Sequence, residues 1–104
     1  MPRGAFVRRS WPAFIQRRRR SLLRAADRCG ARNVRLFGSV ARGEETSRSD
    51  VDLLVDMDRG RDMFDLMEFE ERAADILKRD VDVLTVPAIS PYLRERILAE
   101  ARPL

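Results

Sequence analysis

Histidine is absent from this chain of 104 residues, and cysteine, tryptophan and tyrosine occur once each. Without histidine, Ser-His-Asp and Cys-His catalysis, His-ligated zinc and imidazole acid–base chemistry are excluded. The single cysteine, Cys29, can neither close an internal disulfide nor build a thiolate metal cluster, which points to the cytoplasm. Lysine is nearly missing too. Lys78 is the only one and follows no glycine-rich loop, so a Walker-type phosphate loop is ruled out. No apolar run approaches the roughly 20 residues that cross a bilayer. The start, Met1-Pro2-Arg3-Gly4-Ala5-Phe6-Val7-Arg8-Arg9, lacks the apolar stretch of a secretory signal. Chemistry in this chain must therefore run on carboxylates, hydroxyls, arginines and backbone amides.

What is present is charge. Hydrophobic residues make up 44% and charged residues 37%, the composition of a globular chain with a highly charged surface and room for one core. Residues 1–35 carry eleven arginines and one acid, Asp27; residues 36–104 carry ten basic and sixteen acidic residues, so +10 and −6 give the net +4. The densest point of the basic arm is Arg17-Arg18-Arg19-Arg20. It reads either as an electrostatic footprint for a nucleic acid, a nucleotide or an acidic partner, or as a solvated helix face. No aromatic residue interrupts the run, so a stacking platform for single strands has little support.

The hydrophobic pattern predicts α, β, short α, β, α, β, α: an α/β (α+β) domain with a small sheet packed against helices. A helix is expected over residues 12–29, with Ser10 able to cap it, Pro12 in its first turn and Ile15, Leu22, Ala26 and Cys29 as its apolar stripe; Gly30 stops it. Strands are expected at 34–37, 50–55 and 81–85, a short helix at 39–42, and polar loops at 43–49 and 56–61. Asp62 should cap a helix running to about Lys78 with Phe64, Met67, Ala74 and Leu77 on its buried face. Pro87 should end the third strand, and Ser90-Pro91 should open a last helix whose Leu93, Ile97 and Ala101 face the core.

Alternate residues of a strand share a face, so Asp50 and Asp52 should project together while Val51, Leu53 and Val55 enter the core. Two adjacent carboxylates repel; one should be harder to ionise, unless a divalent cation sits between them. Asp82, between Val81 and Val83, repeats the pattern, and the three acids would converge if the two strands were neighbours. The alternative is that Asp50 is a turn residue and Asp82 an edge-strand charge. Gly38-Ser39 follows a strand where amides and a hydroxyl can hold phosphate oxygens, or it is a plain turn with a serine cap. Arg42, one turn on, either contacts phosphate or is solvated.

Taken together, Gly38-Ser39, ten intervening positions, and Asp50-Val51-Asp52 running into an apolar strand resemble the polymerase-β-like nucleotidyltransferase superfamily. The text LFGSVARGEETSRSDVDLLVD is similar to its minimal nucleotidyltransferase (MNT) branch, and RDVDVLTVPAISPYLRERILAEA resembles that branch's third-carboxylate strand and closing helix. The resemblance spans about residues 22–102, which divides the chain into a basic extension with the start of a helix at 1–21 and a catalytic domain at 22–104. It implies that Asp50, Asp52 and Asp82 hold catalytic Mg²⁺, two ions in all, and that Gly38 and Ser39 hold the β and γ phosphates, with Arg42 a further candidate for the triphosphate. It implies AMP transfer from ATP with release of pyrophosphate. It also implies a partner: members of this branch act as antitoxins of HEPN-type ribonuclease toxins, attaching AMP to a toxin tyrosine. Only one helix is expected after the third strand, so we expect the acceptor site to be completed by that partner. Two alternatives stand beside this reading: a binding module that neutralises its partner by masking it, and a transferase acting on a small molecule or an RNA end. A nucleic-acid role for the arginine arm rests on charge alone.

Overall fold

The computed structural model describes residues 11–104. Helix α1 (Ala13–Arg28) begins behind Pro12, whose missing N–H costs nothing at a helix start, and ends as Gly30 turns away at φ +76°. The cap expected from Ser10 lies outside the described residues. Strand β1 (Ala31–Phe37) leads into the five-residue helix α2 (Gly38–Arg42), which Gly43 closes in the left-handed conformation. Strand β2 (Val51–Met57), helix α3 (Met63–Leu77) and strand β3 (Val81–Thr85) follow. A 3₁₀ turn (Val86–Ala88), helix α4 (Pro91–Glu100) and a two-residue strand β4 (Arg102–Pro103) complete the chain. Among the described residues no helix is long and apolar enough to cross a membrane.

The four strands form one mixed sheet in the order β3-β2-β1-β4. β2 runs antiparallel to β1 and parallel to β3, the parallel pair being joined by the α3 crossover. Strand alternation divides the sheet's apolar residues. Leu36, Val51, Leu53, Val55, Val81 and Val83 enter the main core beneath α1 and α3. On the other face, Phe37 and Leu54 pack with Ile89 and Ile97 into a smaller cluster. That second face also carries Asp52, and Ile97 of α4 packs on it.

The stripe expected on α1 is buried, from Ile15 to Cys29. Burial raises the Cys29 thiol pKa, and the neighbouring Glu68 carboxylate raises it further, so this cysteine is a core residue. The face expected on α3 is wrong in part. Phe64 and Met67 are exposed, and Phe69, Ala73 and Leu77 are the residues buried against α1 and the sheet. Leu93 on α4 is likewise exposed, while Ile97 and the preceding Ile89 are buried. β1 starts three residues earlier than the pattern predicts because it carries a bulge. Arg32 pairs with Asp56 and Arg35 with Leu54, an extra residue that Asn33 absorbs at φ +52°, with its amide bonded to Asp56. β4 was not expected. Its chain is fixed by the Leu104 N–H on the Val34 carbonyl and by Arg19 Nε on the Leu104 carbonyl at 2.8 Å. Arg19 is thus tied into the fold, whereas Arg17, Arg18 and Arg20 are exposed.

The start of α3 is the most completely capped point of the fold. Asp62 accepts from the N–H groups of Phe64 and Asp65, and Asp65 accepts from the Asp62 N–H at 3.0 Å. Asp62→Ala is expected to lower stability by about 1 kcal/mol in a urea melt without changing its slope, the usual effect of losing an N-cap.

Candidate active site

Parallel pairing sets Asp52 of β2 opposite Asp82 of β3 in register. Residues opposite each other in a ladder share a face. Asp52 is half-buried and Asp82 is exposed at the sheet's outer strand, whose Val83 N–H is taken by Glu70 of α3. Asp50 precedes β2 in the loop and is exposed, yet its charge reaches Asp52. Asp50 and Asp82 also line one cleft of about 370 Å³ with Glu70 and Asp80. Asp52 is hard to ionise. Burial first, then Asp82, Asp50 and Glu100, push its pKa up to about 6, with Arg42 acting in the opposite direction. Repulsion between neighbouring acids therefore exists as the sequence suggests, with lost hydration the largest single cause.

Across the antiparallel pairing, Asp52 faces Phe37, so the chain leaves β1 directly beside the carboxylate. Only glycine fits there. A Cβ at Gly38 would lie 2.1 Å from Asp52 Oδ2, and the backbone sits at φ +76°. Ser39 is half-buried on the next position of α2. Arg42, at the end of that helix, is exposed but not free: its Nε bonds Glu44 at 2.8 Å and its Nη1 bonds Glu100 at 2.7 Å. Glu100 also accepts the Gly38 N–H at 2.7 Å. Burial disfavours its charge, but the Arg42 and Gly38 bonds prevail and hold its pKa low.

Glu100 was missed by sequence reasoning. The signal was an acid in the last turn of a helix, where the dipole is unfavourable to it and a local partner is needed.

The loop that delivers Asp50 is fastened at both ends. Thr46 and Ser49 bond to one another through backbone and hydroxyl, and Arg79 donates to the Thr46 carbonyl at 3.0 Å while lying over the Phe14 ring. The Val51 N–H bonds the Asp80 carbonyl at 2.9 Å, which locks the start of β2 to that of β3.

A family model described as a nucleotidyltransferase domain matches residues 19–104. The chain belongs to that family. Within it, the chain is 40% identical over 72 residues to a Methanocaldococcus jannaschii protein designated a protein adenylyltransferase (MJ0435), covering 69% of this chain and 77% of that one. A solved minimal nucleotidyltransferase superposes with a TM-score of 0.78 at 41% identity, covering 86% of this chain and 92% of the other. A toxin–antitoxin crystal structure containing AMP-PNP shares the fold at a TM-score of 0.69 and 21% identity, over 81% of this chain and 69% of that one.

The protein is thus a nucleotidyltransferase of the minimal type, and its substrate is a nucleotide. Its donor set suits a hard cation: oxygen ligands from carboxylates, one of them costly to ionise when alone. Among the described residues no three acids gather into a preformed cage. Mg²⁺ does not need one, since it is commonly held by one or two carboxylates with substrate phosphates supplying further oxygens.

Proposed function

We propose that this nucleotidyltransferase moves AMP from ATP to a protein hydroxyl, a tyrosine of a HEPN-type ribonuclease toxin, and so acts as an antitoxin. Residues 22–104 form the catalytic unit behind a basic extension at 1–21. The observation that carries the reading is the in-register pair Asp52 and Asp82 beside the Gly38 turn, in a chain similar to a designated protein adenylyltransferase. Asp50, Asp52 and Asp82 hold Mg²⁺, with two ions expected. Held there, Mg²⁺ would supply the charge that offsets the triphosphate and favours ionisation of the attacking hydroxyl. Gly38, Ser39 and Arg42 receive the β and γ phosphates through an amide, a hydroxyl and a guanidinium. Asp82, the exposed carboxylate of the pair, takes up the proton of the incoming hydroxyl. That oxygen bonds to the α-phosphorus in line with the bond that breaks, and pyrophosphate leaves.

A protein acceptor is supported by the surface. Large apolar side chains are left exposed at two separate places, Met63, Phe64 and Met67 on α3 and Tyr92, Leu93 and Leu98 on α4, where a protein partner could cover them. The arginines of α1 suit an acidic partner more than a nucleic acid, for which nothing beyond charge speaks.

The test is intact mass. Incubated with ATP, Mg²⁺ and the protein encoded next to it, the wild type is expected to add AMP to that partner, and Asp82→Asn is expected to lose most of the addition while melting normally. A partner whose mass stays unchanged while its ribonuclease activity is suppressed would replace transfer with masking.

A further inference from the structure

Glu100 is an anion placed where charge alone would exclude it. It stands in the last turn of α4, at the negative end of the helix dipole, and adds to the repulsion felt by Asp52. Its side chain is only 16% exposed. Two bonds of 2.7 Å, from the Gly38 N–H and from Arg42 Nη1, hold it there. Both donors are among the three groups assigned above to the nucleotide's phosphates. A carboxylate and a phosphate present the same oxygen acceptors to a guanidinium and an amide, so one carboxylate takes donors that the triphosphate requires.

We propose that Glu100 sets the affinity of the nucleotide site by exchange: its carboxylate occupies Gly38 and Arg42 in the free protein, the triphosphate displaces it on binding, and it re-forms those bonds as pyrophosphate leaves. This rests on the phosphate assignment made for the proposed function, and it adds a residue that assignment does not contain. Arg42 remains attached to Glu44 through Nε, so the guanidinium keeps its orientation while Nη1 changes partner. No covalent step is involved. A cost is placed on nucleotide binding and returned at product release.

Calorimetry with inorganic tripolyphosphate in Mg²⁺ buffer tests the exchange, because it requires neither acceptor nor transfer. Loss of one charge-assisted competitor is expected to tighten binding about tenfold in Glu100→Gln. Arg42→Ala placed on the Glu100→Gln background should erase the gain. A structural strut would give the opposite sign, so unchanged or weaker binding by a folded Glu100→Gln overturns the proposal. Should that variant fail to fold, carbon-detected NMR of the wild type decides. The Glu100 carboxyl and the Gly38 amide must shift together as tripolyphosphate binds, and a Glu100 signal that stays in place refutes the exchange. Tighter binding in a protein that transfers no AMP would keep this inference and discard the adenylyl-transfer reading. Normal transfer with unaltered binding would do the reverse.

Discussion

Asp52→Asn is expected to reduce AMP transfer by about a thousandfold while making the metal-free protein more stable at neutral pH. Removing a group that stabilises developing charge typically costs about 10²–10³ in rate, and Asp52 is the half-buried member of the acid set, set between Gly38 and Asp82. The stability change has the opposite sign because the same carboxylate is strained when alone. In the folded chain its pKa is pushed up to about 6, by burial first and then by Asp82, Asp50 and Glu100. The unfolded chain ionises this group at about 3.9. Between those values the native state binds more protons than the unfolded one, so metal-free stability falls as pH rises from about 4 to about 6 and is then level for this group. Asparagine removes that slope. Allowing for solvent around a half-open carboxylate, the gain at pH 7.5 is about 1 kcal/mol. Melting curves in EDTA at pH 4.5 and 7.5, beside transfer assays in Mg²⁺, read both effects. Retained transfer, or a lower melting temperature than wild type at pH 7.5, would remove Asp52 from the centre of the site.

Asp52 was legible in the sequence because strand periodicity is local. Val51, Leu53 and Val55 had to share a face, which left the alternate residue on the other side. Asp82 follows by the same rule, and their convergence needed only the parallel pairing that the α3 crossover provides. The misread parts depend on contacts distant in sequence. α3 carries apolar residues on two sides, Phe64 and Met67 as well as Phe69, Ala73 and Leu77, and periodicity cannot choose between them. Packing against α1 and β3 chooses the second set and leaves the first in water. The bulge at Asn33 breaks alternation over the first half of β1, so the pattern showed a strand only from Val34. β4 is two residues long, too short for any periodicity, and its place depends on a bond to Val34. Glu100 was hidden most completely. Its partners Gly38 and Arg42 lie 62 and 58 residues away, and a helix-end acid alone does not say what it binds.

Gly38→Ala is expected to inactivate the enzyme as thoroughly as loss of Asp52, and to destabilise it as well. At φ +76° an L-residue costs about 1–2 kcal/mol relative to glycine before any contact is considered. The new methyl would then stand 2.1 Å from Asp52 Oδ2 and 3.0 Å from its Cγ, distances that require one group to move. The backbone cannot yield cheaply. Phe37 and Asp52 are paired partners on β1 and β2, the two central strands, with core packed on both faces. The carboxylate must therefore rotate away from the site, which adds strain of about 1–2 kcal/mol and removes the charge that catalysis uses. A double-mutant cycle separates the two costs. On an Asp52→Ala background the remaining neighbour from that residue is its Cβ, 3.3 Å from the added methyl, so Gly38→Ala should cost little beyond its backbone term. The difference between backgrounds is expected to exceed about 1 kcal/mol in urea melts, the scale of coupling for residues in contact. Equal costs in both backgrounds would mean that the glycine serves the turn alone. A large coupling would mean that Gly38 is glycine so that Asp52 can remain aimed into the site.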